Sequence, residues 1–267
     1  PWNTELTPGG SSCGAAAMVA SGMVPFAIGT DGGGSIRIPA ALSGLYGIKA
    51  QFGRVPVHPV SAPPTLGHVG PLARNVEDAA LVLSVIAGHD RRDPFSVAGP
   101  QPDFEAASRA ERNLRVAYRP TLGYARPDAE VAAAGGAAAQ RIADIGHHVE
   151  EVDHVMEDPI GLWVAEFYAG VGTRLRTVIE GSPEKLDPAV LAVLREAINQ
   201  EMGDYYTTVF ERYGFRDRMR RFFERFDLLI SPTLPVAAFP VGQNLPPSLL
   251  DRSIVSWVFY TYTFNLT

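Results

Sequence analysis

Residues 29–40 read Gly29-Thr30-Asp31-Gly32-Gly33-Gly34-Ser35-Ile36-Arg37-Ile38-Pro39-Ala40. Three consecutive glycines break both helix and strand, so the chain must turn at Gly32–Gly34. Val24 to Ile28, just before, is a short apolar run that reads as a buried strand. Pro39 to Leu45, just after, reads as a helix with proline in its first turn. A glycine turn of this kind can aim successive backbone N–H groups at one point, and such a nest holds an anion. The anion could be a phosphate or the oxyanion of a tetrahedral acyl intermediate. Ser35 closes the nest, where a nucleophile would stand. The plainer alternative is a glycine-rich turn with a helix-capping serine. No Gly-Lys-Ser/Thr follows, so this is not a P-loop, and it is not the Gly-x-Ser-x-Gly elbow either.

A second unusual stretch lies upstream, Gly9-Gly10-Ser11-Ser12-Cys13-Gly14-Ala15-Ala16-Ala17. Ala15 to Met23 is small and apolar and reads as a buried helix opening after the serine pair. Beyond the central stretch, residues 50–71 hold five prolines and read as a long surface loop. Asn75 to Ala87 reads as a helix. Asn75 can cap it, Glu77 and Asp78 suit its positive end, and Ala79, Val82, Leu83 and Ile86 form an apolar stripe.

Leu114 to Tyr118, Asp128 to Ile145 and His148 to Val152 read as strand, helix and strand, a βαβ unit. Residues 159–226 read as mostly helical, Asp227 to Ile230 as a short strand, and the rest to Pro247 as proline-rich loops. The expected fold class is α/β, a mixed twisted sheet flanked by helices in one domain over residues 1–267.

The 267 residues carry a net charge of −6 and 46% hydrophobic residues, a globular balance that gives nucleic acid no clustered basic surface. No apolar run reaches the length that spans a bilayer. The single cysteine, Cys13, excludes an intrachain disulfide and fits a reducing, cytoplasmic compartment. It reads as a small packed residue. The histidines lack ligand spacing, so neither metal nor cofactor is expected. The chain begins at Pro1 with a motif already under way and ends just past an aromatic, β-branched stretch, Ile254 to Phe264. Both ends therefore read as cuts.

The two glycine–serine stretches together resemble the amidase signature, Gly-Gly-Ser-Ser-Gly-Gly followed by Gly-Thr-Asp-x-Gly-Gly-Ser-Ile-Arg-x-Pro-Ala. The similarity continues in Gly44-Leu45-Tyr46-Gly47-Ile48-Lys49, Gly53-Arg54-Val55-Pro56, Gly70-Pro71-Leu72-Ala73-Arg74 and Glu77-Asp78-Ala79. It is dense over residues 1–90 and thin from about 100 to 225.

The resemblance implies a Ser–cis-Ser–Lys amidohydrolase fold and mechanism. Ser35 takes the place of the nucleophile. Ser11 takes that of the bridging serine on a cis peptide bond, and Gly32, Gly33 and Gly34 that of the oxyanion loop. Ser12, Thr30, Asp31 and Arg37 fall at supporting positions. Arg37 either orients the serine pair or pairs with Asp31.

The family's base is a lysine upstream of Gly9, and none of the ten residues before Ser11 is lysine. Lys49 falls at a different family position and reads as structural, and Lys185 as solvated. The resemblance implies a small-molecule amide substrate, met in part by residues 120–225, and leaves a homodimer open. Two other readings stand beside it: the glutaminase subunit of a tRNA-dependent amidotransferase, and a relative that binds without turnover. Lacking part of the family's sheet, the isolated 267-residue chain is expected to aggregate. A cooperative unfolding transition in calorimetry would contradict that expectation.

Overall fold

The computed structural model describes residues 2–110 and 112–267. They form two compact units. The first is Pro1–Glu111 together with Ala237–Gln243, and the second is Arg112–Val236 with Asn244–Thr267.

The first unit runs α1 (Cys13–Ala20), β1 (Phe26–Asp31), α2 (Arg37–Ser43), β2 (Tyr46–Gly47), β3 (His68–Ala73), α3 (Val76–Ile86) and α4 (Phe104–Ser108). Its three strands form an antiparallel sheet in the order β1-β3-β2. β1 starts two residues later than the apolar pattern suggested. It ends on Thr30-Asp31, while Phe26 and Ile28 are exposed. The loop expected over residues 50–71 gives way at His68 to the central strand of this sheet. Gly70 and Pro71 hide β3 from pattern reading, because proline donates no ladder hydrogen bond. Pro71 still contributes its carbonyl, which accepts from Ile48 N at 3.1 Å.

Ala16, Ile36, Ala40 and Leu72 pack as one buried cluster that joins α1, α2 and β3. Ala50, Val55 and Leu83 form a second that seats α3. α3 matches its sequence signals, with the Asn75 side chain accepting from Asp78 N at 2.7 Å. The first unit is completed by residues from far along the chain. Thr7 N donates to Phe239 O at 2.8 Å, Val241 N to Glu5 O at 3.0 Å, and Leu6 bridges Pro240.

The second unit contains β4 (Arg115–Tyr118), α5 (Ala129–Asp144), β5 (His148–Glu151), four helices α6 (Ile160–Arg174), α7 (Arg176–Gly181), α8 (Pro188–Ile198) and α9 (Met202–Arg225), and β6 (Leu228–Ile230). Its sheet is parallel, in the order β5-β4-β6, as the βαβ pattern requires. The fold is thus α/β, with its strands in one antiparallel and one parallel sheet.

The aromatic stretch near the end forms turns and a short 3-10 segment, with Phe259, Tyr260 and Tyr262 buried. Their polar tips are satisfied locally. Tyr260 Oη donates to Pro120 O and Tyr262 Oη to Asp158 Oδ1, both at 2.6 Å. Burial pushes both phenols up, so they stay neutral donors.

The closest main-chain approach in the first unit is at Gly70, where an added Cβ would run into the Ile48 carbonyl. Gly70→Ala should therefore part β3 from residues 46–48 and lower stability by roughly 2–4 kcal/mol. Leu81→Ala, at a half-exposed helix position, should stay within about 0.5 kcal/mol. Denaturant midpoints of the two variants check this.

Candidate active site

Ser12 joins the two glycine–serine stretches. It stands at the N-cap of α1. Its amide donates to Ser35 O at 3.1 Å, and its Oγ lies 3.2 Å from Thr30 N and 3.4 Å from Thr30 O. Gly29 permits this approach, since a Cβ there would lie 2.8 Å from Ser12 Oγ. Ser11, Ser12, Thr30 and Ser35 are thus gathered where β1 ends and α2 begins. Ser11 is exposed and Ser35 half-buried, and the Gly10–Ser11 peptide bond is cis.

Asp31 organises the turn that follows. Its carboxylate is fully buried and accepts from Gly34 N at 2.7 Å and Ile36 N at 3.3 Å. Arg37 closes on it as a fork, with Nε 2.9 Å from Oδ2 and Nη2 2.8 Å from Oδ1. A two-pronged guanidinium–carboxylate contact of this kind fixes orientation as well as charge. Gly34 turns through φ +136°, a conformation that side-chain-bearing residues rarely adopt. Its amide is engaged by Asp31, so the carboxylate braces the glycine turn from within.

A family model described as Amidase matches residues 1–267. The chain belongs to the amidase family. An acylamidase of Rhodococcus erythropolis is 32% identical over 274 residues, covering 100% of this chain and 57% of that protein. A glutamyl-tRNA(Gln) amidotransferase subunit of Roseiflexus sp. (strain RS-1) is 36% identical over 271 residues, covering 91% of this chain and 55% of that protein. Among solved structures, a bacterial aryl acylamidase of the amidase signature family superposes with a TM-score of 0.89 at 30% identity. That match covers 100% of this chain and 59% of the other. The chain therefore spans a little over half the length of these relatives.

Of the residues singled out from sequence, the structure draws Ser11, Ser12, Thr30, Asp31, Gly32–Gly34, Ser35 and Arg37 into one region of the first unit. Cys13, expected to be packed, is exposed at the first turn of α1. Lys185 is exposed in the second unit. No helix among the described residues is long and apolar enough to cross a membrane. The second unit holds an open cleft of about 490 Å³ lined by Glu157, Asp158, Leu162, Thr208 and Glu211 among others. It falls in the span where the sequence resemblance is thin.

Sequence reading missed the surroundings of Asp31. His68, the first residue of β3, pairs with Asp31 across the ladder, and Lys49 Nζ lies 3.4 Å from His68 Nε2. Burial, then the Lys49 charge, pushes His68 down to about 4, against its contacts with Leu66 and Asp31. Burial, then the Arg37 charge, pushes Lys49 down to about 8, with Asp31 opposing. Nineteen residues separate Lys49 from His68, and no local pattern links them before β3 is recognised.

The sign of the resulting pH dependence follows from His68 being neutral in the folded chain well below its ordinary value of about 6.5. The stability linked to its neutral form is complete above about pH 6.5 and is lost as pH falls toward about 4. At ~1.4 kcal/mol per pH unit, the loss reaches on the order of 3 kcal/mol. Urea titrations from pH 7 to pH 4 should show that extra loss in the native chain and its absence in His68→Gln.

Proposed function

We propose that this chain carries the nucleophile region of an amide hydrolase, with Ser35 as the attacking residue. The observation that carries the reading is the gathering of Ser11, Ser12 and Ser35 at a glycine turn braced by the Asp31–Arg37 pair, in a chain of the amidase family.

In this reading Ser35 Oγ attacks the carboxamide carbon while its proton passes through the Ser11 hydroxyl to a base. The carbonyl oxygen becomes an oxyanion held by main-chain N–H groups of the Gly32–Ser35 turn. The C–N bond then breaks, the amine or ammonia leaves with the proton, and a serine ester remains. Water, activated along the same route in reverse, attacks the ester and releases the carboxylic acid. The loop proposed for the oxyanion is Gly32, Gly33 and Gly34, of which the Gly34 amide also donates to Asp31 Oδ1. The scheme needs a base to take the Ser11 proton. Lys49 Nζ contacts His68 Nε2 and Ala50 O, and Lys185 is exposed in the second unit.

The substrate proposed is a small carboxamide of the acylamidase kind. The 36% identity to a glutamyl-tRNA(Gln) amidotransferase component favours a second reading, in which the amide is that of glutamine and the product ammonia is passed to a partner protein. Ammonia release from glutamine, compared with amine release from aryl and alkyl amides, separates the two.

Intact mass and N-terminal sequencing of the natural protein, followed by a fluorophosphonate and peptide mapping, test the nucleophile. A single adduct on Ser35 is expected. Ser35→Ala should lose the adduct and at least about 10⁴-fold in kcat, and Ser11→Ala should slow labelling by roughly 10²–10⁴-fold. An unlabelled Ser35 in a chain that turns over amides would overturn the assignment.

A further inference from the structure

We propose that Lys49 and His68 are positioning residues that hold the Gly32–Ser35 turn in place by gripping the main-chain carbonyl of Asp31. The proposal rests on the amide-hydrolase reading and adds to it two residues outside the serine-containing stretches.

The hydrogen-bond directions follow from the neighbours of the imidazole. His68 Nδ1 lies 2.8 Å from Leu66 O and 3.2 Å from Asp31 O. Both neighbours are carbonyl oxygens, which only accept, so the nitrogen between them carries the hydrogen. In a neutral ring Nε2 is then the acceptor, and it faces Lys49 Nζ, a group that only donates when charged. A second Lys49 contact, to Ala50 O at 3.3 Å, fixes the ammonium from the other side. The donors run in one direction, from Lys49 to His68 Nε2 and from His68 Nδ1 to Asp31 O. Phe52 packs edge-on against the imidazole, with ring centres 5.6 Å apart, and limits its rotation.

Asp31 is thereby held at both ends. Its carbonyl is gripped by His68, and its carboxylate organises Gly34, Ile36 and Arg37. The three residues that follow are glycines, so the hold on Asp31 sets where their path begins. The charged groups around the pair are Asp31 on β1 and Arg37 on α2. Arg37 opposes the Lys49 charge, and burial opposes both ionised forms. A half-buried cation near the Arg37 charge is a costly way to fill space that a methionine would fill without charge. Its use here is the hydrogen bond it donates.

Two measurements on the natural full-length protein test this. The first is ¹⁵N NMR of histidine-labelled enzyme between about pH 6 and 7.5, where His68 is neutral. The expected spectrum shows hydrogen on Nδ1 and a bare Nε2. Hydrogen on Nε2 would reverse the donor direction and sink the proposal without any variant being made. The second uses Lys49→Met and Lys49→Arg, with fluorophosphonate labelling of Ser35 alongside kinetics. Lys49→Met is expected to lower kcat and the labelling rate together by roughly 10- to 100-fold with KM within about threefold, and Lys49→Arg to recover much of the loss. A Lys49→Met enzyme with the melting temperature of the parent and an unchanged labelling rate would leave the pair a packing feature only. Failure of the amide-hydrolase reading looks different: Ser35 then goes unlabelled in the parent enzyme itself.

Discussion

The carboxylate of Asp31 is the constraint on which the candidate site depends. A buried negative charge persists only when its lone pairs are met, and here two main-chain amides and a guanidinium meet them. Removing one partner of such a pair typically costs about 3–5 kcal/mol, because the other is left charged and dry. The same contacts shape the candidate site. The amides that satisfy Asp31 belong to Gly34 and Ile36, on either side of Ser35, so satisfying the charge and placing the serine are one event. Ser12 ties this turn to the preceding helix through Ser35 O and the Thr30 main chain. Several elements thus converge on a turn that no side chain of its own could stabilise.

Much of this was legible in the sequence, and the reasons differ by element. The glycine triplet announced a turn because no regular structure tolerates it. Helix α3 announced itself through its cap and stripe. Ser35 was singled out by its place at the end of the glycine turn, and Ser11 and Arg37 by resemblance, since spacing alone left a capped turn as a fair alternative. Strand β3 was illegible. Gly70, needed for close approach to residue 48, and Pro71 beside it are the residues that pattern reading treats as loop. With β3 hidden, so was the pairing of His68 with Asp31, and with it any reason to look at Lys49 again. Cys13 misled because its small size suggested packing, whereas the first turn of α1 leaves it in solvent.

In the second unit, aromatic residues near the chain end would suit a strand, but they fill the interior from turns. Their hydroxyls reach main-chain and carboxylate acceptors, and Trp163 stacks on Tyr262 with ring centres 5.4 Å apart. Arg212 donates to Glu166 Oε2 at 2.7 Å and to Leu266 O at 3.0 Å, tying α6 and α9 to the same stretch. Hydrophobic content was readable there. Its conformation was not, because tertiary packing overrides β-propensity when no strand partner is available.

The first unit borrows Ala237–Gln243, and this sets an order of events during synthesis. Between the two parts of that unit lie the 125 residues 112–236. At ribosomal rates of about 5–20 residues per second they take roughly 6–25 s to emerge. For that interval Glu5 and Thr7 lack the partners they later find in Val241 and Phe239. The segment leading into the serine pair gains these contacts only after residues 112–236 have been made, although Glu5 and Thr7 are translated before them.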